Sequence, residues 1–311
     1  MDALHVVLGA GQIGNELTEQ LLKAGHKVRQ VRRSQDPSPP RPNLERLSGD
    51  ITDLVFAREA GRGATVLYHC VNARYDQWQQ LLPAQNRGVL VAASTAPLVV
   101  LDNLYMYGAV HAPMTEDMPS QPCSKKGVLR ARLSEELLAA HRRGDAQVTM
   151  ARASDFFGPG VVTAVIFGER YFSRVLAGKA GEFVGDPDMP HSYSYGPDVA
   201  TAMITLGARP EALGKIWHVP TPPATSTRTL LLQMASALGV SARLTRLPEW
   251  ALRLGGLFSP VIGEVVEMTY QYKRPFILDD SRFRSAFGGQ HTPLPTALAA
   301  TAAWARKRFA A

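Results

Sequence analysis

Two hydrophobic periods alternate along the first half of this chain. Residues 3–9 (ALHVVLG) form a short apolar run ending in glycine, the pattern of a strand buried on both faces. Ile13, Leu17, Leu21 and Leu22 then recur at helical spacing, and Gly25 closes the segment. Residues 26–33 (HKVRQVRR) read as a second strand, and the proline-rich 35–42 (QDPSPPRP) as a surface loop. Residues 44–50 (LERLSGD) and 64–70 (ATVLYHC) give two further strands, followed by a helical stretch around 78–86. A fifth strand at 97–103 (PLVVLDN), an amphipathic helix over 126–143 and a sixth strand at 146–152 (AQVTMAR) complete the series. Such alternation predicts an α/β fold: a Rossmann-type doubly wound parallel sheet with helices on both faces.

After residue 155 the rhythm loosens. Glycine- and proline-bearing loops (GPG, GDPDMP, PTPPATST) separate shorter helices. The expected organisation is an NAD(P)-binding Rossmann domain over 1–155 and a smaller substrate-binding lobe over 156–311. Some segments of the second half are expected to return to the first domain, with the active cleft between the two.

Composition changes this picture little. The 311 residues are 45% apolar and 20% charged, as in a soluble globular protein. The net charge of +7 is spread over single arginines and short pairs such as Arg32-Arg33, Lys125-Lys126 and Arg142-Arg143, so no nucleic-acid partner is expected. Cys70 and Cys123 cannot build a disulfide framework and have no metal-ligand neighbours, which argues for free thiols, no metal site and a reducing compartment. The most apolar stretch, around 88–101, is broken by Ser94, Thr95 and Pro97, so no membrane span is expected and the cytoplasm is the default location.

The candidate chemistry begins at Gly9, Gly11 and Gly14, a GxGxxG turn set between the first strand and the first helix, with Gln12 and Ile13 inside it. Gly9 allows the tight turn, Gly11 lets the backbone approach a pyrophosphate, and Gly14 lets helix and strand pack closely. The positive end of the helix then faces the phosphates. The second strand ends in Arg32 and Arg33, with no acid until Asp36. Guanidinium groups suit a 2′-phosphate where a carboxylate would repel it, which favours NADP over NAD as cofactor. The plain alternative is that both arginines face solvent.

Further segments carry a resemblance to a known family. They are GDITD (49–53), VLYHCVN (66–72), LYMYG with PMTEDMPSQP (113–122), RASDFFGPG (152–160), PHSYSYGPDVA (190–200) and GKIWHVPT. In order, they resemble the extended short-chain dehydrogenase/reductases, the NAD(P)-dependent epimerases and dehydratases. RASDFFGPG is similar to that family's RPxNVYGPG passage. The resemblance implies that Asp50 and Ile51 lie against the adenine, with Val71 and Asn72 beside the pyrophosphate and nicotinamide ribose.

The same resemblance exposes a departure. The family exchanges a proton through a Tyr, assisted by a Lys four residues on and a Ser or Thr after the fifth strand. Here Lys126 stands at the Tyr position, Arg130 at the Lys position and Asn103, preceded by Asp102, at the Ser position. No tyrosine occurs between Tyr107 and Tyr171. Replacement proton donors are sought among Tyr193, Tyr195, Tyr105, Tyr107 and His191, or in Lys126 itself if burial and Arg130 lower its pKa. Asn103 can bond a substrate carbonyl, and Arg130 can contact cofactor ribose or phosphate.

The reading taken from the sequence is an atypical NADP-dependent oxidoreductase acting on a small carbonyl or alcohol. The alternatives are a catalytically silent NADP-binding sensor or binding module, a nucleotide-binding structural subunit, and a nucleotide-sugar epimerase or dehydratase. Leu129, Leu133, Leu137 and Leu138 offer an apolar face that suits either a homodimer or intramolecular core.

Overall fold

A computed structural model describes residues 3–309. Seven strands make the central sheet: β1 (Leu4–Leu8), β2 (Lys27–Arg32), β3 (Leu44–Ser48), β4 (Val66–His69), β5 (Leu98–Asp102), β6 (Val148–Arg152) and β7 (Ile216–His218). All are parallel, in the order β3-β2-β1-β4-β5-β6-β7. The order reverses between β1 and β4. Such a switch point opens a crevice at the carboxyl ends of the strands.

Helices cover both faces. On one lie α1 (Gln12–Lys23) and, from the second half of the chain, a helix over Gly196–Gly207. Leu17 and Leu21 of α1 are fully buried there with Val7, Tyr68 and Met203, each leucine contributing roughly 2 kcal/mol by burial. On the other face lie α2 (Leu54–Gly61), α3 (Trp78–Ala92) and α4 (Lys125–Arg142). Asp53 caps α2 by accepting from the Val55 and Phe56 N–H groups.

The helix expected around 78–86 runs on to Ala92. Gly88 is a contact point: a Cβ there would lie 1.8 Å from the Ile51 carbonyl oxygen. The close approach of α3 to the β3–α2 loop therefore requires glycine. Leu129, Leu133 and Leu137 of α4 are buried within the chain itself.

The second half does not stay apart. It supplies β7, which pairs with β6, and the helix on α1. The rest builds a separate cluster in which Phe157, Phe167, Phe172, Leu230, Leu231 and Ala302 are buried. Two short helices, Glu249–Phe258 and Pro260–Val266, pack on each other and leave Trp250, Leu257 and Phe258 exposed. Among the described residues no helix is long and apolar enough to cross a membrane.

Candidate functional site

A cavity of about 570 Å³ opens at the carboxyl edge of the sheet. One wall comes from the strand ends, through Gln12, Arg33, Val71, Asn72 and Asn103. The facing wall comes from the second half, through Thr163, Phe167, Tyr193, Val261 and Gln271. Tyr75, Trp78, Tyr105 and Asp155 join them.

The glycine turn explains itself atom by atom. Gly9 has φ +108°, and a Cβ there would lie 2.7 Å from the Cys70 carbonyl oxygen. A Cβ on Gly14 would lie 1.9 Å from the Gly9 carbonyl oxygen, so the first turn of α1 sits directly on β1. Gly11 is different: its Cβ would meet nothing within 4 Å. No side chain caps α1, which leaves its first N–H groups facing open space beside Gly11. A bare helix N-terminus next to an open glycine fits a pyrophosphate. Ile13, in contrast, turns its side chain into the core.

Around the adenosine end expected from the sequence, Asp50 folds back to accept from the Thr52 N–H at 2.9 Å. Ile51 is 4% exposed and packs in the core, so its side chain offers a ligand no surface. The two arginines separate. Arg32 pairs with Asp36 at 3.1 Å, a carboxylate that also holds Arg46 at 3.1 Å. Arg33 lines the cavity. The acid absent from the strand end in sequence thus arrives in space beside Arg32.

At the altered catalytic positions the side chains have partners of their own. Lys126 is buried, pairs with Glu264, and lies 3.6 Å from Glu267. Its ammonium also sits 4.5 Å from the Tyr75 ring centroid, and it is not among the residues lining the cavity. Glu267 accepts from the Lys125 and Lys126 N–H groups at the start of α4. Arg130 does line the cavity, stacked 4.3 Å from the Trp78 ring and donating to Asn72 Oδ1 at 3.2 Å. Asn103 lines it as well, its Oδ1 accepting from the Tyr105 N–H.

The tyrosines are similarly engaged. Tyr193 shares a 2.7 Å hydrogen bond with Thr227, Tyr75 donates to Tyr105 at 3.1 Å, and Arg152 donates to the Tyr107 hydroxyl at 2.8 Å. Burial pushes Tyr75, Tyr105 and Tyr193 well above the usual phenol range. Cys70 lines the cavity too, and burial pushes its thiol up to about 12, disfavouring the thiolate. Among the described residues no group of three or more His, Cys, Asp or Glu side chains is placed to hold a metal.

Asp155, which lines the cavity, meets His191 and Tyr272 buried behind it. Asp155 stands where the RPxNVYGPG pattern has Asn, a change visible in the sequence; Tyr272 carried no such signal. The His191 Nε2 lies 3.2 Å from Asp155 Oδ2, and the Tyr272 hydroxyl donates to the same oxygen.

Comparison with known proteins adds the following. A sequence model of the NAD dependent epimerase/dehydratase family matches residues 5–219. No curated protein matches the sequence. Among solved structures, the dTDP-glucose 4,6-dehydratase of Bacillus anthracis in complex with NAD is similar with TM-score 0.80 at 15% identity, over 98% of this chain and 97% of that one. The UDP-glucuronic acid 4-epimerase of Bacillus cereus, in complex with UDP-glucuronic acid and NAD, gives 0.79 at 16% over 98% and 99%. An epimerase of Methanothermobacter thermautotrophicus gives 0.83 at 16% over 99% and 94%. At these identities the likeness shows a shared fold.

Proposed function

The chain belongs to the NAD-dependent epimerase/dehydratase family, and from that premise we propose that it is an oxidoreductase binding NAD(P) along the carboxyl edge of its sheet. The observation that carries the proposal is one cavity bordered by both the cofactor-side residues Gln12 and Asn72 and the second-half residues Tyr193 and Gln271. The substrate half is assigned to 156–311 and the cofactor half to 1–155. When bound, the nicotinamide supplies hydride transfer.

The chain's own residues divide the remaining work. Gly9, Gly11 and Gly14 bring the backbone of α1 to the pyrophosphate. Val71 and Asn72 border the nicotinamide ribose, and Arg130, fixed on Trp78, presents its guanidinium to ribose or phosphate oxygens. Asp50 and Ile51 reach the adenine through backbone. Asn103 orients a substrate oxygen, while Tyr193 shapes the pocket through its bond to Thr227.

Family membership and the nucleotide sugars handled by two of the similar structures support an epimerase or dehydratase reaction on a nucleotide sugar. They support it over the small free carbonyl or alcohol expected from the sequence. They also support NAD over the expected NADP. What supports NADP is Arg33 on the cavity wall, since Arg32 is paired with Asp36.

The test is direct. Purified protein is incubated with NAD or NADP and with UDP-glucuronic acid, UDP-glucose, dTDP-glucose and a panel of simple aldehydes and ketones, following sugar products and reduced-nicotinamide absorbance. Conversion of a nucleotide sugar is the expected result. Tight cofactor binding with no conversion overturns the enzymatic reading in favour of a binding module.

A further inference from the structure

Three segments distant in sequence bring an acid on the cavity wall against an imidazole and a phenol buried behind it. They are the strand Asp155–Phe157, the short strand Pro190–His191 and the turn Thr269–Tyr272. We propose that Asp155 and His191 are the proton-exchanging pair of this cleft, holding one proton between them, with Asp155 the group presented to a substrate hydroxyl. The inference rests on the oxidoreductase reading above. It assigns the proton transfer for which this chain lacks the Tyr and Lys.

His191 Nδ1 lies 3.3 Å from the Gln271 backbone carbonyl, which can only accept, so Nδ1 bears hydrogen. Nε2 is buried with no well-aligned hydrogen bond, and the Asp155 carboxylate lies 3.2 Å from it. With an acceptor at each ring nitrogen, either the imidazole is doubly protonated or the carboxyl keeps the proton. The ring stacks with Tyr272 at 5.0 Å and with Phe276 at 5.1 Å, and aromatic faces favour a cation there.

Access distinguishes the two partners. His191 is 1% exposed, whereas the Asp155 side chain keeps 23% of its surface and lines the cavity. Burial pulls the Asp155 carboxyl up, but the close approach of His191 and the hydrogen bond from the Tyr272 hydroxyl outweigh it, leaving it below the usual carboxylate range. The other titratable groups acting on it are Tyr75, Tyr105, Tyr193 and Tyr270, all kept neutral by burial. The competing donors are engaged elsewhere: Lys126 with Glu264, Tyr193 with Thr227, and Tyr107 with Arg152.

In the oxidising direction the substrate O–H bond breaks and its proton passes to the Asp155 carboxylate. The hydride leaving the carbon takes its electron pair to an oxidised nicotinamide dinucleotide. In the reducing direction Asp155 returns the same proton, so an epimerisation closes without net proton exchange.

The test has two arms on the full chain. Imidazole nitrogen NMR should show hydrogen on both His191 ring nitrogens in the wild type and on one alone in Asp155→Asn. With whichever panel substrate turns over, Asp155→Asn should lower kcat roughly 100-fold or more and remove the acidic limb of the pH profile. Its KM, cofactor affinity and melting temperature should stay near wild type. His191→Gln should shift that limb and lower kcat less. A neutral His191 in the wild type, or wild-type kcat in Asp155→Asn, overturns the pair. If no substrate turns over while His191 is charged as described, the oxidoreductase reading fails and the proton pair stands.

Discussion

Asp102 and Arg152 face each other across the carboxyl ends of β5 and β6, with Nε 3.1 Å from Oδ2 and both side chains almost fully buried. The rest of the guanidinium is also used: it donates to the Tyr107 hydroxyl at 2.8 Å and to Ser134 Oγ at 2.9 Å. Asp102 precedes Asn103, so this pair sets where the cavity's sheet-side wall ends. Arg152→Met strands a buried carboxylate and two hydroxyls and should cost about 3–5 kcal/mol in urea unfolding. Arg152→Lys keeps the charge but loses the fork, and should recover less than half of that loss. A lysine variant as stable as wild type would show that charge alone holds the strand ends together.

Gly14 and Gly11 should fail in different ways when replaced by alanine. The Gly14 methyl would collide with the Gly9 carbonyl oxygen at 1.9 Å, so Gly14→Ala should lose roughly 1–3 kcal/mol of stability together with cofactor binding. Gly11 has open space, so Gly11→Ala should melt like wild type while binding NAD(P) at least about tenfold more weakly. Thermal melts paired with cofactor titration separate the two. Undiminished binding by Gly11→Ala would remove the pyrophosphate from this turn.

These glycines also show how far sequence reaches. The sheet and its GxGxxG turn were legible because they are local: a short continuous apolar run, a 3.6-residue period and a glycine turn between them. The length of α3 was not legible. It runs on past Gly88, where only the fold shows the Ile51 carbonyl packed against the helix. Asp155 was readable as a departure from the family's Asn, but its meaning was hidden, because His191 and Tyr272 reach it only through tertiary folding. The same holds for Lys126, whose partner Glu264 is 138 residues away.

Acid should destabilise the fold through two buried histidines. His69 and His218 are each pushed down to about 3 by burial, with Arg130 and Arg152 respectively adding to the effect. His218 is fixed as a neutral tautomer: Nδ1 faces the Asp279 carbonyl and Nε2 faces the Tyr107 hydroxyl. Their folded pKa values lie below the unfolded value of about 6.5, so the unfolded chain binds more protons in between. Stability is therefore full above about pH 6.5 and falls as pH drops toward 3, by roughly 2 kcal/mol per histidine at pH 5. Urea unfolding of wild type and His218→Gln across that range checks it. His5, pushed down to about 4 by burial and His26, adds in the same range, so the variant should lose roughly a third to a half of the slope, and an unchanged slope would clear His218 of the effect.

Cofactor preference should be governed by Arg33 and not by Arg32. Arg33 lines the cavity, while Arg32 is held by Asp36. Arg33→Ala should weaken NADP about tenfold and leave NAD within about twofold, as expected for loss of one charge-assisted contact to a 2′-phosphate. Asp36→Asn should move the other way, freeing Arg32 and Arg46 and improving NADP. Titration of both cofactors against the three proteins decides. Equal loss of NAD and NADP in Arg33→Ala would assign that residue to the pyrophosphate instead.

Lys126 should act as a latch for the second half of the chain and not as a proton donor. It occupies the family's Tyr position, yet its ammonium pairs with Glu264 on the helix Pro260–Val266, whose Val261 and Val265 line the cavity. Removing it in Lys126→Met leaves Glu267 accepting from the α4 N–H groups but frees Glu264. Because Glu264 is partly exposed, the expected cost is only about 1 kcal/mol. That loss should appear locally, as faster amide exchange across 260–266, and Glu264→Gln should reproduce it. Turnover should stay within about fivefold of wild type, with its pH profile unmoved, since a latch does not exchange protons in the reaction. If Lys126→Met instead lost roughly 100-fold in kcat while Glu264→Gln lost none, proton transfer would return to Lys126.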